Sequence, residues 1–343
     1  MKSQKVTTWH ELAGCPAVGV DVCKQHLDIM GLCGTIGYSR RISNTAQAIG
    51  AFIKALVGHH FKGTILCEAT SHYHLVLTVM LCEAGLDIRV VNPLLSSKHA
   101  KSAIRKTKTD RVDAQILAVM VLTEPNLPPP LKLTRQHCLV RHTLGLIHSQ
   151  EKHLQGMKRA LASYRERLCQ LSLETGKAYK ETVEAFNQLQ CSHKQLLSEL
   201  ESYLLENQPD RQETIACVNE VPGITRRNAA LFTFVLDPQA TSSKSWIAYC
   251  GLDVAIKESG TWRGHGKITK RGPAWMRKRL IQAAWGAAMT CSQGRLYYDA
   301  LKAKGRKHKE ALVIMAKKLL SIMYTLIVHH KKFDYSKAFQ IAA

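Results

Sequence analysis

Ala17-Val18-Gly19-Val20-Asp21-Val22 is a short apolar run with one carboxylate inside it, and it reads as a buried strand. A buried strand rarely carries an acid without a partner or a metal. Downstream, Leu27 to Gly34 and Thr35 to Ile42 continue as glycine-broken strands, an antiparallel meander. Asn44 is placed to cap a helix through about Val57, with Ile49, Phe52, Ile53 and Leu56 on one face. Thr64-Ile65-Leu66-Cys67-Glu68 is a second buried strand, and it ends in a carboxylate. A helix over about Ser71 to Ala84 and a strand over Asp87 to Asn92, stopped by Pro93, complete the unit. Strands first, then strand and helix in alternation, predict a mixed α/β sheet with helices on its faces.

A second pair of acids lies in Lys106-Thr107-Lys108-Thr109-Asp110-Arg111-Val112-Asp113-Ala114. Asp110 and Asp113, three apart on a helix, project from nearly the same face. Residues 98–111 also carry Lys98, Lys101, Arg105, Lys106, Lys108 and Arg111 against one acid. Carboxylates for Mg²⁺ beside cations for phosphates suit a metal-dependent nucleic-acid enzyme. An amphipathic helix with solvated charges is the plainer reading. If the strands of Asp21 and Glu68 are neighbours, Asp110 and Asp113 can close a set of four. Such a set repels itself unless a divalent cation neutralises it. Two Mg²⁺ ions held this way can activate a nucleophile and stabilise a leaving oxygen. Alternatively, Asp21 accepts a hydrogen bond from a turn.

Composition narrows the partners. With 48 basic and 26 acidic residues, the 343-residue chain carries a net charge of +22. That excess calls for a polyanion, nucleic acid before membrane. No segment reads as apolar for the 18 or so residues that a span needs, so no membrane partner is expected. Eleven cysteines without a C-x-x-C pair, and a start unlike a signal peptide, lead us to expect free thiols and a cytoplasmic location. The glycines at 31–37 and 260–272 fit neither a Walker A loop nor a dinucleotide fingerprint.

Pro125, Pro128, Pro129 and Pro130 end the α/β unit. Beyond them Leu154, Met157, Leu161, Tyr164, Leu168 and Leu171 step by three and four. Tyr179, Val183, Phe186, Leu197, Leu200 and Leu204 resume the seam after a break near Gly176. The seam fits an antiparallel helical hairpin, a dimerising coiled coil or an ordinary bundle core. Val221-Pro222-Gly223-Ile224 resembles the loop of a helix-hairpin-helix element, which offers N–H groups to a phosphate; a plain turn is the alternative. Residues 262–279 hold Arg263, Lys267, Lys270, Arg271, Arg277, Lys278 and Arg279 without an acid, interleaved with Trp262, His265 and Trp275. This pattern suits backbone contacts with some base stacking. A further basic cluster, Lys302 to Lys309, precedes a closing apolar helix.

The ordered set Val-Gly-Val-Asp21-Val, Cys-Glu68-Ala-Thr, Val-Asn-Pro, and Lys-Thr-Lys-Thr-Asp110-Arg-Val-Asp113-Ala resembles the DEDD transposases of the insertion sequence 110 family, which include the pilin-gene invertases. The likeness continues through Val-Pro-Gly-Ile, Tyr249-Cys250-Gly251-Leu252, Glu258-Ser259-Gly260 and Gly266 to Gly272, over roughly residues 17–330. It implies a RuvC-like, RNase H-like α/β catalytic domain (17–130), a coiled-coil helical connector (131–212) and a mostly α-helical C-terminal transposase domain (213–343). Residues 1–16 are expected as an N-terminal arm. The resemblance puts the metal-binding tetrad on Asp21, Glu68, Asp110 and Asp113, and the nucleophile on Ser259. It implies a phosphoserine DNA intermediate, a composite site in a dimer or tetramer, and, in several members, a structured guide RNA. On these grounds the expected activity is transposition or site-specific recombination with Mg²⁺. A pilin-gene-type invertase, a RuvC-like nuclease using water, and a non-catalytic architectural protein are the alternatives.

Overall fold

The computed structural model describes residues 2–5, 9–101, 110–236, 240–255, 258–259, 262–263 and 266–340. For Asp110, Arg111, Ser259 and Arg263 the description is of the backbone, and Lys106 and Lys108 lie outside it. The chain divides into two compact units, residues 1–139 and 140–343.

The first unit is built on a sheet. Its elements are β1 (Lys2–Lys5), α1 (His10–Ala13), β2 (Ala17–Val22), β3 (His26–Cys33), β4 (Ile36–Ser43), α2 (Ala46–Gly58), β5 (Thr64–Glu68), α3 (Leu75–Glu83), β6 (Ile88–Val91), α4 (Pro93–Lys101) and α5 (Asp110–Thr123). The strand order is β1-β4-β3-β2-β5-β6. β2, β3 and β4 form the expected antiparallel meander, and β5 and β6 add to β2 in parallel. Period-two alternation splits the side chains between two faces. Val18, Val20, Val22, Ile65 and Cys67 face α2 and α3, where Ile49, Phe52, Leu56 and Leu77 close a core. Ala17, Met30 and Leu32 face α5 through Ala114 and Ala118, while Leu66 meets Leu117 and Met120.

Gly19 explains how closely α5 lies on the sheet. A Cβ there would stand 2.1 Å from the Ala114 carbonyl oxygen and 2.4 Å from the Ala118 nitrogen. Only glycine admits the helix backbone at that distance.

Three local readings differ from the structure. The α2 cap is Thr45, whose hydroxyl accepts from the Ala48 N–H at 3.3 Å. Asn44 instead donates to the carbonyls of Cys23 and Tyr73, tying the end of β2 to the start of α3. α3 begins at Leu75, after turns over residues 71–74 in which Ser71 takes a φ of 48°. The segment expected as an arm supplies β1, parallel to β4, and buries Leu12 and Cys15 in the core.

The second unit is mostly helical. α6 (Arg135–Gln170) runs into it, followed by α7 (Lys177–Glu206), α8 (Gln212–Asn219), α9 (Arg226–Val235) and α10 (Ser243–Tyr249). Four two-residue strands follow: β7 (Val254–Ala255), β8 (Glu258–Ser259), β9 (Trp262–Arg263) and β10 (Lys267–Ile268). α11 (Ala274–Thr290), α12 (Ser292–Ala303), α13 (His308–Val328) and α14 (Tyr335–Ala338) complete it. α6 and α7 form an antiparallel hairpin. Tyr179 donates to the Leu161 carbonyl at 3.3 Å and stacks on Tyr164, while His193 lies 3.0 Å from Gln150 Oε1 further along. Gly176 caps α7, at the break the heptad pattern predicts.

α13 corrects one expectation. By length and composition it is apolar enough to cross a membrane. The helix nevertheless buries Leu312, Met315, Leu319, Leu320, Met323 and Ile327, among others, against α8, α10, α11 and α12. A helix at the centre of a helical core is apolar on several sides for that reason.

Candidate active site

Asp21 and Glu68 end up side by side. The parallel register pairs Ala17 with Thr64 and Val20 with Cys67, so the next residues along are Asp21 and Glu68. Both belong to the alternating sets that face α5. Glu68 accepts a hydrogen bond from Ser96 Oγ at 2.5 Å. That serine is placed by the Val91-Asn92-Pro93 turn, in which Asn92 Oδ1 accepts from the Leu94 N–H and its carbonyl from the Leu95 N–H. The thiol of Cys23 approaches Asp21 Oδ2 at 3.8 Å. Cys67 points to the opposite face, and burial pushes its thiol up to about 12, so it packs as a neutral group.

Asp113 is half-buried and directly precedes Ala114, the residue that Gly19 accommodates. Asp110, Asp113 and Leu117 share one side of α5 by their spacing of three and four, and Leu117 packs on the sheet beside Leu66. The helix side that carries Asp113 is therefore the side that meets the strands. Among the described residues, no three His, Cys, Asp or Glu side chains already stand together as a metal-binding group; the Asp110 side chain is outside that comparison.

Sequence reasoning passed over Asp28. It lies opposite Asp21 on β3 and is buried, yet the bidentate Arg41 guanidinium holds it at 2.9 and 2.8 Å. His26 Nε2 stands 3.5 Å away. The signal was present: Leu27-Asp28-Ile29 sets an acid inside an apolar strand, as Val20-Asp21-Val22 does.

In the second unit Ser259 pairs with Trp262, and Glu258 with Arg263. As a separate two-stranded ladder β7 pairs with β10, Ala255 opposite Lys267. Val254, Ala255 and Lys267 of the β7–β10 ladder, the base that leads along the sequence to Ser259, are exposed. Two motifs clamp that base. Lys270 N–H donates to the Gly251 carbonyl and Thr269 N–H to the Asp253 carbonyl, and the Thr269 hydroxyl binds the Asp253 carboxylate. A Cβ on Gly272 would fall 1.8 Å from the Tyr249 carbonyl oxygen. Tyr249-Cys250-Gly251-Leu252 and Lys270-Arg271-Gly272 are two sides of one packed joint.

The basic run divides in two. Lys267, Lys270 and Arg271 are exposed. Arg277 donates to the carbonyls of Cys250 and Gly272, Lys278 binds Glu151 at 2.6 Å, and Arg279 binds Asn228 Oδ1 at 3.2 Å. Burial pulls the Arg279 guanidinium below its usual value, and Glu151 opposes that shift. These last three cations are engaged by groups within their own unit. The Val221-Pro222-Gly223-Ile224 turn is likewise packed inward: Val221 and Pro222 are buried, and a Cβ on Gly223 (φ 81°) would meet the Ala283 carbonyl at 2.0 Å.

Residues 18–166 match the model of the DEDD transposases of IS110 type, and residues 215–299 match that of the transposase IS116/IS110/IS902 family. Between them the two matches cover well over half of the chain. This chain belongs to the IS110 family of transposases. The IS110-family chain is 25% identical over 329 residues to the pilin gene-inverting proteins of Moraxella lacunata and Moraxella bovis, covering 92% of itself and 97% of each relative. It is 31% identical over 113 residues to the insertion element IS110 uncharacterized 43.6 kDa protein of Streptomyces coelicolor, covering 32% of itself and 28% of that relative. As a family member it is an enzyme of DNA transposition or recombination. The first family match contains Asp21, Glu68, Asp110 and Asp113, and the second contains Ser259.

Proposed function

We propose that this transposase cuts and rejoins DNA with Asp21, Glu68, Asp110 and Asp113 as its metal-binding carboxylates and Ser259 as its nucleophile. The observation that carries the reading is the register of β2 and β5, which sets Asp21 beside Glu68 on the face covered by α5. The meander followed by parallel strands is compatible with an RNase H-like, RuvC-like domain. The donor set is all oxygen and all anionic, which fits Mg²⁺, in one or two copies, better than a softer metal. Bound there, Mg²⁺ would supply Lewis-acid stabilisation of charge on the phosphate.

The chain's own groups do the rest. The Ser259 hydroxyl attacks the scissile phosphorus: a new Oγ–P bond forms, the bond from phosphorus to the strand's sugar oxygen breaks, and the serine's proton ends on that departing oxygen. Attack by that oxygen, or by one from another strand, reverses the step and returns the serine. The ester conserves the bond energy, so no nucleotide triphosphate is needed. Lys267, Lys270 and Arg271 hold the backbone near the ribbon. Reaching the tetrad from Ser259 brings two domains together, in this reading from different protomers of a dimer or tetramer. A structured guide RNA is the further partner that the charge of +22 accommodates.

The test is denaturing electrophoresis of labelled DNA after reaction with Mg²⁺. The native chain gives a covalent protein–DNA adduct, and Ser259→Ala binds DNA but gives neither adduct nor cleaved ends. Cleaved ends without an adduct in the native chain would instead assign hydrolysis by water. The end-to-end match to the pilin gene-inverting proteins favours inversion as a second reading. A substrate with two inverted sites separates the two: a flipped segment reports inversion, an excised or inserted one reports transposition.

A further inference from the structure

The basic cluster Lys302 to Lys309 has no role in the proposed strand exchange, and the structure gives it an aromatic neighbour. Trp285 on α11 is 41% exposed, in contrast to Trp246 and Trp275, which are buried. Its ring stands edge-on to His308 at 5.2 Å and to Tyr298 at 6.0 Å. The Tyr298 hydroxyl and His308 Nδ1 are 2.8 Å apart, and the Arg295 guanidinium lies 6.0 Å from the Tyr298 ring centre. Arg295 is fixed in turn by Asp299. Tyr298 is buried, so the group is anchored from below while the indole stays accessible.

His308 opens α13 and is flanked by the exposed Lys302, Lys304, Arg306, Lys307 and Lys309. Glu310, the acid that directly follows that stretch, accepts from the Lys307 N–H as a helix cap. An exposed, immobilised indole beside several cations is the arrangement that holds a nucleic-acid strand with an unstacked base: the cations follow the phosphates and the ring takes the base. An apolar protein partner would not need the cations. A duplex would not use the ring, because its bases are stacked inside.

We propose that Trp285, His308 and the Lys302–Lys309 loop form a second nucleic-acid contact, separate from the Lys267–Arg271 face and specific for unpaired strands. The occupant is a phosphodiester chain with an accessible base, from a DNA single strand or from an RNA loop.

The test is fluorescence anisotropy with the full chain and three labelled probes of about 12 nucleotides: oligothymidylate, oligouridylate and a mixed duplex. Trp285→Ala is expected to weaken one or both single-stranded probes about tenfold while sparing the duplex, and Trp285→Phe to recover most of the loss. Loss on oligouridylate alone assigns the contact to RNA, on oligothymidylate alone to DNA. Lys304, Arg306 and Lys307 replaced together by Ala lie wholly at the surface and leave the fold intact. That variant should flatten the single-strand salt dependence by about 2 in log–log slope. Unchanged single-strand binding in Trp285→Ala, or an equal loss on all three probes, overturns the proposal. An unchanged salt slope in the triple variant does the same. Binding is the readout, so failure of the Ser259 or carboxylate assignments would leave this result standing.

Discussion

Asp21 and Asp28 face each other across the antiparallel β2–β3 pair, and Arg41 on β4 takes Asp28 out of the contest for charge. The row Glu68, Asp21, Asp28, Arg41 therefore runs across the sheet and ends in a closed ion pair, while Glu68 takes its hydrogen bond from Ser96. Arg41→Ala leaves a buried carboxylate without its bidentate donor and should cost about 1–3 kcal/mol. Arg41→Ala with Asp28→Asn should recover much of that loss, a coupling read by a double-mutant cycle in urea. Additive single effects would mean that the pair is only a surface contact.

The carboxylate assignment has a readout besides catalysis. Asp21→Asn and Asp113→Asn each remove one charge from a group that repels itself, so thermal stability without metal should hold or rise. Millimolar Mg²⁺ should raise the melting temperature of the native chain through preferential binding to the folded state, and raise it less in either variant. Strand exchange should vanish in both. Near-native exchange by Asp113→Asn would remove that residue from the set.

Much of the first unit was legible because its signals are local. Ala17–Val22 and Thr64–Glu68 are apolar runs of strand length, and both appear with those bounds. β1 was not legible: Lys-Ser-Gln-Lys has no hydrophobic side to read, and its strand state comes from pairing with β4. Asp21 and Glu68 drew notice as acids in apolar strands; Asp28 carried the same mark and went unread. The roles of Lys278 and Arg279 depend on Glu151 and Asn228, far away in sequence, so a count of local charge could not separate them from Lys270 and Arg271. α13 reads in sequence only as a closing apolar helix; it is apolar over the length of a span, and what packs around it explains why.

That division of the basic run is testable. Lys270→Ala with Arg271→Ala should leave the melting temperature alone and flatten the duplex salt dependence by about 1.8 in slope, for two phosphates. Lys278→Ala strips a half-buried Glu151 of a partner at 2.6 Å. It should cost about 1–3 kcal/mol of stability with the slope unchanged. The reverse pattern would put Lys278 on the nucleic acid.

The hairpin of α6 and α7 leaves Tyr164, Leu171 and Leu173 exposed near its tip. Leu161 and Leu168 are half-buried there. If protomers associate through this end, Leu161→Asp with Leu168→Asp should lower the mass seen by light scattering while the melting temperature falls only modestly. Unaltered mass would confine the seam to a single chain.

The joint beneath Ser259 gives the last expectation. Gly251 takes a φ of 64°, and a Cβ there would meet the nitrogens of Arg271 and Gly272 at 2.7 Å. Gly272 is tighter still, against the Tyr249 carbonyl. Gly272→Ala must push the two segments apart at a cost of about 1–3 kcal/mol. β7 and β10 spring from those segments and flank the Ser259 ladder in sequence, so a displaced joint is expected to displace the serine. Adduct formation should therefore fall more steeply than DNA binding. Gly156→Ala is the matched control: its Cβ meets nothing within 4 Å on α6, so it should add about 0.5–1 kcal/mol of stability and leave the adduct yield alone. If Gly272→Ala keeps the native adduct yield despite its loss of stability, the joint serves folding alone, and the position of Ser259 must be set elsewhere.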